Sequence, residues 1–116
     1  MTRQRAERGG RRAERLAAWW LRLRGWRILA VRARTPVGEI DIVARRGRTL
    51  AFVEVKARAT ESEADWALDE HRLRRVMRAA EALLPRYMRA GDTVRIDAML
   101  VTPWRFPRHL TNISQG

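Results

Sequence analysis

Residues 38–58 constrain the fold of this chain most, because they predict two β-strands joined by a turn at Arg46-Gly47. In residues 39–42 and 53–57, apolar and charged residues alternate with the period of two that separates the faces of a strand. The apolar residues match across the pair only when Ile42 lies on the same face as Val53. The stretch therefore predicts a strand pair whose register has a fixed parity.

That parity places four charged residues on one face of the strand pair: Glu39, Asp41, Glu54 and Lys56. A two-residue loop would place Glu39 opposite Glu54. A four-residue loop would instead place Asp41 opposite Glu54, and it would bring Glu39 opposite the lysine. Carboxylates about 5 Å apart repel when no cation lies between them, so this face favours a divalent cation.

The simpler interpretation of this face is an exposed ladder of ion pairs, each worth only a few tenths of a kcal/mol. Leu50 and Phe52 lie on the same face, however, and large apolar side chains of this kind are usually buried. We therefore expect a helix to cover the face, with the charged residues in or beside a cleft.

Lys56 is the only lysine of the chain, since the other 24 of its 25 basic residues are arginines. The pKa of an ammonium shifts readily on burial, so lysine can transfer a proton, whereas a guanidinium stays charged. A lysine kept in the middle of a strand, between Val55 and Ala57, therefore indicates chemistry at this position.

The whole chain predicts a single α/β domain with a mixed, mostly antiparallel sheet of about four strands flanked by helices. Residues 1–10 are expected to form a flexible basic arm, residues 11–102 the folded domain, and residues 103–116 an irregular tail. Gly25 is expected to end the first helix, and Pro85 to end or kink the second. The expected helices are Arg11–Arg24 and Asp69–Leu84, and the outer strands are Trp26–Arg34 and Thr93–Val101.

Glu14 interrupts the apolar stripe of the first predicted helix, which includes Ala17 and Leu21. A glutamate in a first helical turn is explained by the positive end of the helix dipole. On the apolar side of the helix it would be buried, and a buried carboxylate needs a partner or a metal. Both interpretations are open at this point.

The net charge of +12 favours a polyanionic partner, and nucleic acid is the commonest polyanion in cells. A GC-rich coding sequence would explain arginine in place of lysine, but not 25 basic against 13 acidic residues. The lack of cysteine excludes disulfides, thiolate nucleophiles and cysteine-bound zinc. Arginines interrupt the apolar run around Trp20, so we expect no membrane association and a cytoplasmic location.

The histidines and two of the tryptophans give weaker signals. His71 and His109 have no partner at ligand spacing, so we interpret them as surface or packing residues. Trp66 and Trp104 could stack on the bases of a single-stranded segment, although packing is the preferred interpretation for both. The arginines of the second helix form either its solvated face or a rim that contacts phosphates.

An acidic residue on one strand, followed by D/E-x-K on its neighbour, is the motif of the PD-(D/E)xK nuclease superfamily; here it is Asp41 with Glu54-Val55-Lys56. Over residues 10–102, the chain resembles the YraN/UPF0102 family. The resemblance is carried, in the same order and at similar spacings, by A-E-R-L-A-A-W-W-L, G-W-R-I-L, V-G-E-I-D-I-V-A-R-R-G, F-V-E-V-K-A-R and V-R-I-D-A. The chain lacks the lysine that the family often has near Asp69-Glu70-His71.

The resemblance implies a restriction-endonuclease-like fold related to Holliday-junction resolvases, acting on structured or branched DNA in repair or recombination. It implies Mg²⁺ or Mn²⁺ as cofactor, which suits oxygen ligands. The implied metal ligands are Asp41, Glu54 and Glu39, and Lys56 and Glu14 complete the implied catalytic residues.

The expected partner is therefore nucleic acid, most simply DNA, contacted by Arg58, Arg72 and Arg75. A homodimer would suit a junction of two strands. Two alternatives from other classes remain: a nucleic-acid-binding module that keeps the fold without turnover, and a structural protein whose charged face is an ion-pair ladder.

Overall fold

Five strands form one mixed sheet with a helix on each face, in a computed structural model that describes residues 3–59 and 70–115. This confirms the predicted α/β domain with a mostly antiparallel sheet. The elements in chain order are α1 (Arg3–Leu23), β1 (Arg27–Thr35), β2 (Gly38–Arg46), β3 (Thr49–Ala57), α2 (Glu70–Tyr87), β4 (Thr93–Val101), β5 (Arg108–Leu110) and a 3₁₀ helix (Ile113–Gln115).

The strands follow each other across the sheet in the order β1-β2-β3-β4-β5. Only β3 and β4 are parallel, and the other neighbours are antiparallel. A parallel pair needs a crossover connection, which α2 provides between these two strands. Both faces of the central strands are consequently covered by helices.

The β2–β3 register confirms the predicted parity, since Ile42 pairs with Val53. Continued by one residue, this register places Asp41 opposite Glu54, which is the second of the two predicted alignments. We expected this alignment from a four-residue loop. In the structure the loop between the strands has two residues instead of four, because Arg46 also pairs with Thr49.

Two hydrophobic clusters hold the three layers together. The first lies between α1 and the sheet and includes Ala17, Leu21, Ile42, Val53 and Met99. The second lies between α2 and the opposite face and includes Val43, Leu50, Phe52, Val76 and Leu83. Phe52 is fully buried under α2, as expected for the face that carries the charged residues.

Helix α1 ends as its sequence predicts. Gly25 has φ +88°, which glycine adopts at little cost, and Trp26 N donates to the carbonyl of Leu21 at 3.0 Å. The start differs from the prediction, because the helix begins at Arg3 and continues through Gly9-Gly10 instead of beginning at Arg11. The flexibility of residues 1–10 stays a prediction.

Helix α2 continues through Pro85 to Tyr87, so of the two expected outcomes at Pro85, an end or a kink, the end of the helix is excluded. A proline removes the hydrogen bond to the carbonyl four residues earlier, and at Pro85 this loss falls in the last two turns of the helix. Met77 is 44% exposed, whereas Ala79 is buried. None of the helices in the described residues is long and apolar enough to cross a membrane.

The C-terminal segment is more ordered than the predicted irregular tail. Residues 108–110 form β5, which pairs with β4 through Met99 and His109. The prolines at positions 103 and 107 indicated an irregular chain, but they precede the strand and leave its hydrogen bonds intact.

Candidate active site

A cleft of about 440 Å³ lies between α2 and the strands β2 and β3. The strands contribute carboxylates to one wall, and the first two turns of α2 contribute basic side chains to the other. The charged and polar residues that line it are Glu39, Asp41, Glu54, His71, Arg72 and Arg75. The predicted strand carboxylates therefore meet the predicted arginines of α2 in one place.

Asp41 lies where the β2–β3 pairing stops. The ladder ends at the pair Ile42–Val53, and the backbone N–H of Val55 donates to Asp41 Oδ2 at 2.7 Å. A side-chain carboxylate thus takes the place of a backbone acceptor beyond the last strand pair. This substitution fixes the carboxylate at the mouth of the cleft.

The cleft raises the pKa of Asp41 to about 7. Burial is the largest cause, and the neighbouring Glu54 carboxylate adds to it. The hydrogen bond from Val55 N and the positive charge of Arg72 act in the opposite direction. Near neutral pH, the cleft therefore holds a carboxyl group whose charge is incompletely compensated by the protein.

Glu54 is buried, with 5% of its surface exposed, and Arg72 Nη2 donates a hydrogen bond to its Oε1. The side chain of Arg72 is about half exposed, so it reaches from the rim of the cleft to the buried carboxylate. A buried carboxylate requires such a partner. Arg72 supplies it from the first turn of α2.

Two neighbouring carboxylates fit a Mg²⁺ or Mn²⁺ ion, since Mg²⁺ is usually bound by one or two carboxylates and keeps several waters. The raised pKa of Asp41 indicates that the cleft would gain from a cation. Among the described residues, no three acidic or histidine side chains come together as a ready-made metal cluster. Asp41 and Glu54 are therefore the residues that would hold the ion.

Glu39 lies at the rim of the cleft, whereas Asp41 is half-buried and Glu54 is buried. Glu39 is exposed, and Arg34 Nε lies 3.7 Å from its Oε2. Gly38 beside it has φ +149°, a conformation that favours glycine, and it packs under Ala79 of α2. The turn before β2 thus brings Glu39 to the edge of the cleft.

Lys56 is buried, with 4% of its surface exposed, two residues beyond Glu54 on β3. Strand alternation gives the two residues the same face. Lys56 is not among the residues that line the cleft. The structure therefore places the single lysine beside Glu54 on β3, outside the lining of the cleft.

Glu14 is paired with Arg32, whose Nε donates to Glu14 Oε1 at 2.7 Å. Because α1 begins at Arg3, Glu14 lies in mid-helix, and the explanation by a first-turn dipole is wrong. Arg32 has φ +56°, an uncommon conformation for a residue within a strand. Glu14 does not line the cleft, but its charge contributes to the raised pKa of Asp41.

The remaining predicted residues separate into two places. Arg72 and Arg75 line the cleft, whereas Arg58 lines a different groove beside α1. His71, interpreted from the sequence as a surface or packing residue, is exposed and lines the cleft. Its position directly before Arg72 in the first turn of α2 was the available signal. Trp66 lies outside the described residues.

The sequence did not single out Asp97, which is fully buried in β4. It accepts hydrogen bonds from Arg95 Nη2 at 2.9 Å and from Asn112 N at 2.8 Å, and His109 Nε2 lies 2.8 Å from Oδ2. Burial would raise its pKa, but these hydrogen bonds outweigh burial and lower the pKa. His109 is thus a packing residue, as interpreted, and also contacts the edge of Trp26.

Comparison with known proteins assigns the chain to a family. The profile of the uncharacterised protein family UPF0102 matches residues 13–101. The chain belongs to the UPF0102 family. A UPF0102 protein of Sphingopyxis alaskensis is 61% identical over 115 residues, which cover 99% of both chains. One from Rhizorhabdus wittichii is 63% identical over 111 residues, covering 96% of this chain and 94% of the relative.

The matched segment of UPF0102 contains every residue of the cleft described above. It also contains Glu14, Lys56 and Arg58. The candidate site and its surroundings therefore belong to the part of the chain that the family profile covers. The C-terminal segment with β5 lies beyond that part.

Proposed function

We propose that this protein is a divalent-metal-dependent endonuclease that hydrolyses phosphodiester bonds in structured or branched DNA, with Mg²⁺ or Mn²⁺ as cofactor. One observation carries the proposal. Asp41 and Glu54 meet in a cleft where their mutual repulsion and burial raise the pKa of Asp41 to about 7. Such a carboxylate pair suits a cation, and the opposite wall of the cleft carries arginines.

The residues of the cleft would have different roles in hydrolysis. Asp41 and Glu54 would hold the cation, which when bound stabilises charge on the scissile phosphate and acidifies water. Arg75 and Arg72 would contact phosphate oxygens, because guanidinium groups match their geometry. Lys56 would orient the attacking water, or accept its proton as the neutral amine, because it lies two residues beyond Glu54 on the same face of β3.

Cleavage assays on matched substrates test this proposal. Purified protein with Mn²⁺ or Mg²⁺ is expected to cut a branched DNA, whereas the Lys56→Ala and Asp41→Asn variants lose at least about 100-fold in rate, as expected for a lost general base or charge-stabilising group. Arg74→Ala is the control, because it removes an exposed arginine of α2 that does not line the cleft. The proposal is wrong if linear, nicked and branched DNA all remain uncut above the Lys56→Ala background.

The ion pair between Arg72 and Glu54 supports a second candidate function, a nucleic-acid-binding module without turnover. In such a module Arg72 would compensate the buried carboxylate permanently, and no metal would be needed. DNA binding unchanged in Asp41→Asn would favour this function. The same thermal stability with and without Mn²⁺, in the wild type and in Glu54→Gln, would favour it further.

A further inference from the structure

A second groove, of about 760 Å³, lies between α1 and the segment that follows β4. It is separate from the cleft and shares no lining residue with it. Its lining is apolar and aromatic with a basic component: Leu16, Val101, Pro103, Trp104 and Phe106, with Arg12, Arg58 and Arg105. We refer to it as the aromatic groove.

Trp104 is the most exposed large apolar side chain of the described residues, at 102% of its reference surface. The prediction that it packs in the tail is wrong. Its backbone has φ +64°, which is strained for a bulky side chain. Strain of this kind is retained where the surrounding structure imposes it and is concentrated at ligand sites. The chain therefore holds an indole in solvent at a conformational cost.

A second aromatic surface lies beside it. Phe106 is 68% exposed and stacks on Trp20, with ring centroids 5.1 Å apart and planes inclined by 24°. The guanidinium of Arg24 lies 4.6 Å from the Trp20 ring centroid. The rings of Trp20 and Phe106 thus form a short stack on which a further planar group can be placed.

The charge of the aromatic groove selects among possible occupants. Three arginines line it, and no acidic residue does so among the described residues. A second copy of a chain with net charge +12 would bring like charges together. A ligand that combines negative charges with flat apolar rings matches both components of the groove.

We propose that the aromatic groove binds unpaired bases of single-stranded DNA, with Trp104 and Phe106 stacking on bases and the arginines contacting phosphates. Aromatic stacking platforms beside basic side chains are the usual means of binding single strands. The choice of DNA rests on the proposed function. The stacking and the charge complementarity do not depend on catalysis.

Strand β3 connects the aromatic groove with the cleft. The cleft lies on the α2 face of the sheet and the groove lies beside α1 on the other face, with Glu54 and Arg58 four residues apart along the chain, about 13 Å when extended. A DNA molecule that reaches both places would have to bend around this end of the sheet. A substrate that has a single-stranded segment next to a duplex would fit this arrangement better than a continuous duplex.

Fluorescence anisotropy with a labelled oligothymidine, without metal, tests the proposal. Trp104→Leu keeps an apolar side chain but removes the ring, and it is expected to weaken binding at least about fivefold; Phe106→Leu should behave likewise. An oligomer of abasic sites has the same phosphates without bases, so the wild type should bind it more weakly and Trp104→Leu should not discriminate. Thermal unfolding of each variant shows whether it is folded.

Control variants separate this proposal from the proposed function. The binding assay contains no metal and needs no turnover, so oligothymidine binding by the wild type can be found even when no cleavage is found. Arg105→Ala should weaken binding more than Arg78→Ala, an exposed arginine of α2. Equal affinity of wild type and Trp104→Leu, or a change of oligomeric state in Trp104→Leu without a change in DNA affinity, would overturn the proposal.

Discussion

Arg72 of α2 reaches across the cleft and donates a hydrogen bond to the buried carboxylate of Glu54 on β3. The arginine is half exposed and the glutamate buried, so the pair joins the rim of the cleft to its wall. The positive charge of the same guanidinium offsets part of the rise in the pKa of Asp41. Arg72 thus occupies the electrostatic position that a divalent cation would take.

Removal of Arg72 should therefore strengthen metal binding. Charge-assisted hydrogen bonds contribute about 1.5–3 kcal/mol, so Arg72→Ala is expected to tighten Mn²⁺ binding about tenfold or more, as measured by calorimetry at pH 8. The same variant should bind DNA more weakly. Because one phosphate contact is lost, the slope of log affinity against log salt concentration should decrease in magnitude by about one.

Arg74→Ala is the matched control for that experiment. It removes the same charge from the same helix at an exposed position that does not line the cleft. Its Mn²⁺ affinity should equal that of the wild type. Equal Mn²⁺ affinity of Arg72→Ala and Arg74→Ala would show that the arginine and the metal do not compete.

The raised pKa of Asp41 predicts how stability varies with pH in metal-free protein. Between about pH 4 and 7, folded Asp41 retains a proton that the unfolded chain has released, so the free energy of unfolding should fall as pH rises through this window. Urea denaturation in the presence of a chelator measures this decrease. Asp41→Asn should be less sensitive to pH, and an equal slope in both proteins would contradict the assignment.

Metal affinity should show the opposite dependence on pH. A proton on Asp41 competes with the cation, so Mn²⁺ affinity is expected to fall about tenfold for each pH unit below about 7 and to level off above it. Calorimetric titrations from pH 5.5 to about 8.5 would measure the profile. A flat profile would mean that Asp41 is not a ligand.

The strand parity could be predicted from the sequence because it depends on local alternation. Ile42 and Val53 must share a face whatever the loop, and this brings Asp41 and Glu54 to the same side. The hydrogen bond from Val55 N to Asp41 could not be predicted, because it forms only where the two strands stop pairing.

Contacts between residues distant in sequence were not accessible to pattern reasoning. Arg32 is 18 positions from Glu14, and only the packing of α1 on β1 brings them together. Trp104 was expected to pack because it is large and apolar, but it is fully exposed, with a backbone φ of +64°. The exposed position is visible only in the structure.

Asp97 shows the same limit for the C-terminal segment and leads to a stability prediction. Its carboxylate binds Arg95, Asn112 N and His109, so it attaches the end of the chain to β4. Asp97→Ala removes a buried charge with several partners and should destabilise the protein by about 3 kcal/mol or more in urea denaturation. His109→Ala should cost less, because Arg95 and Asn112 still compensate Asp97. An equal loss of stability in Asp97→Ala and His109→Ala would mean that the contact with His109 accounts for the stabilisation.

The buried pair Arg45–Asp92 should determine how the protein responds to acid. Arg45 donates two hydrogen bonds of 2.8 Å to the carboxylate of Asp92, and a third of 2.9 Å goes to the carbonyl of Tyr87. The side-chain hydrogen bonds from Arg45, with a further one from Arg89 N, lower the pKa of Asp92 to about 2. The stability from this carboxylate is therefore complete above about pH 4 and is lost as pH falls towards 2.

Asp92→Asn should lower the melting temperature at pH 7, because Arg45 is then left buried without its counter-charge. The difference from the wild type should shrink as the pH falls from about 4 towards 2, where the native carboxylate also loses its charge. Glu81→Gln, which removes a negative charge from an exposed position of α2, serves as the control and should behave like the wild type. A difference in melting temperature that stays constant from pH 7 to pH 2 would contradict a role for the ionised pair, because a purely steric effect of the substitution does not depend on protonation.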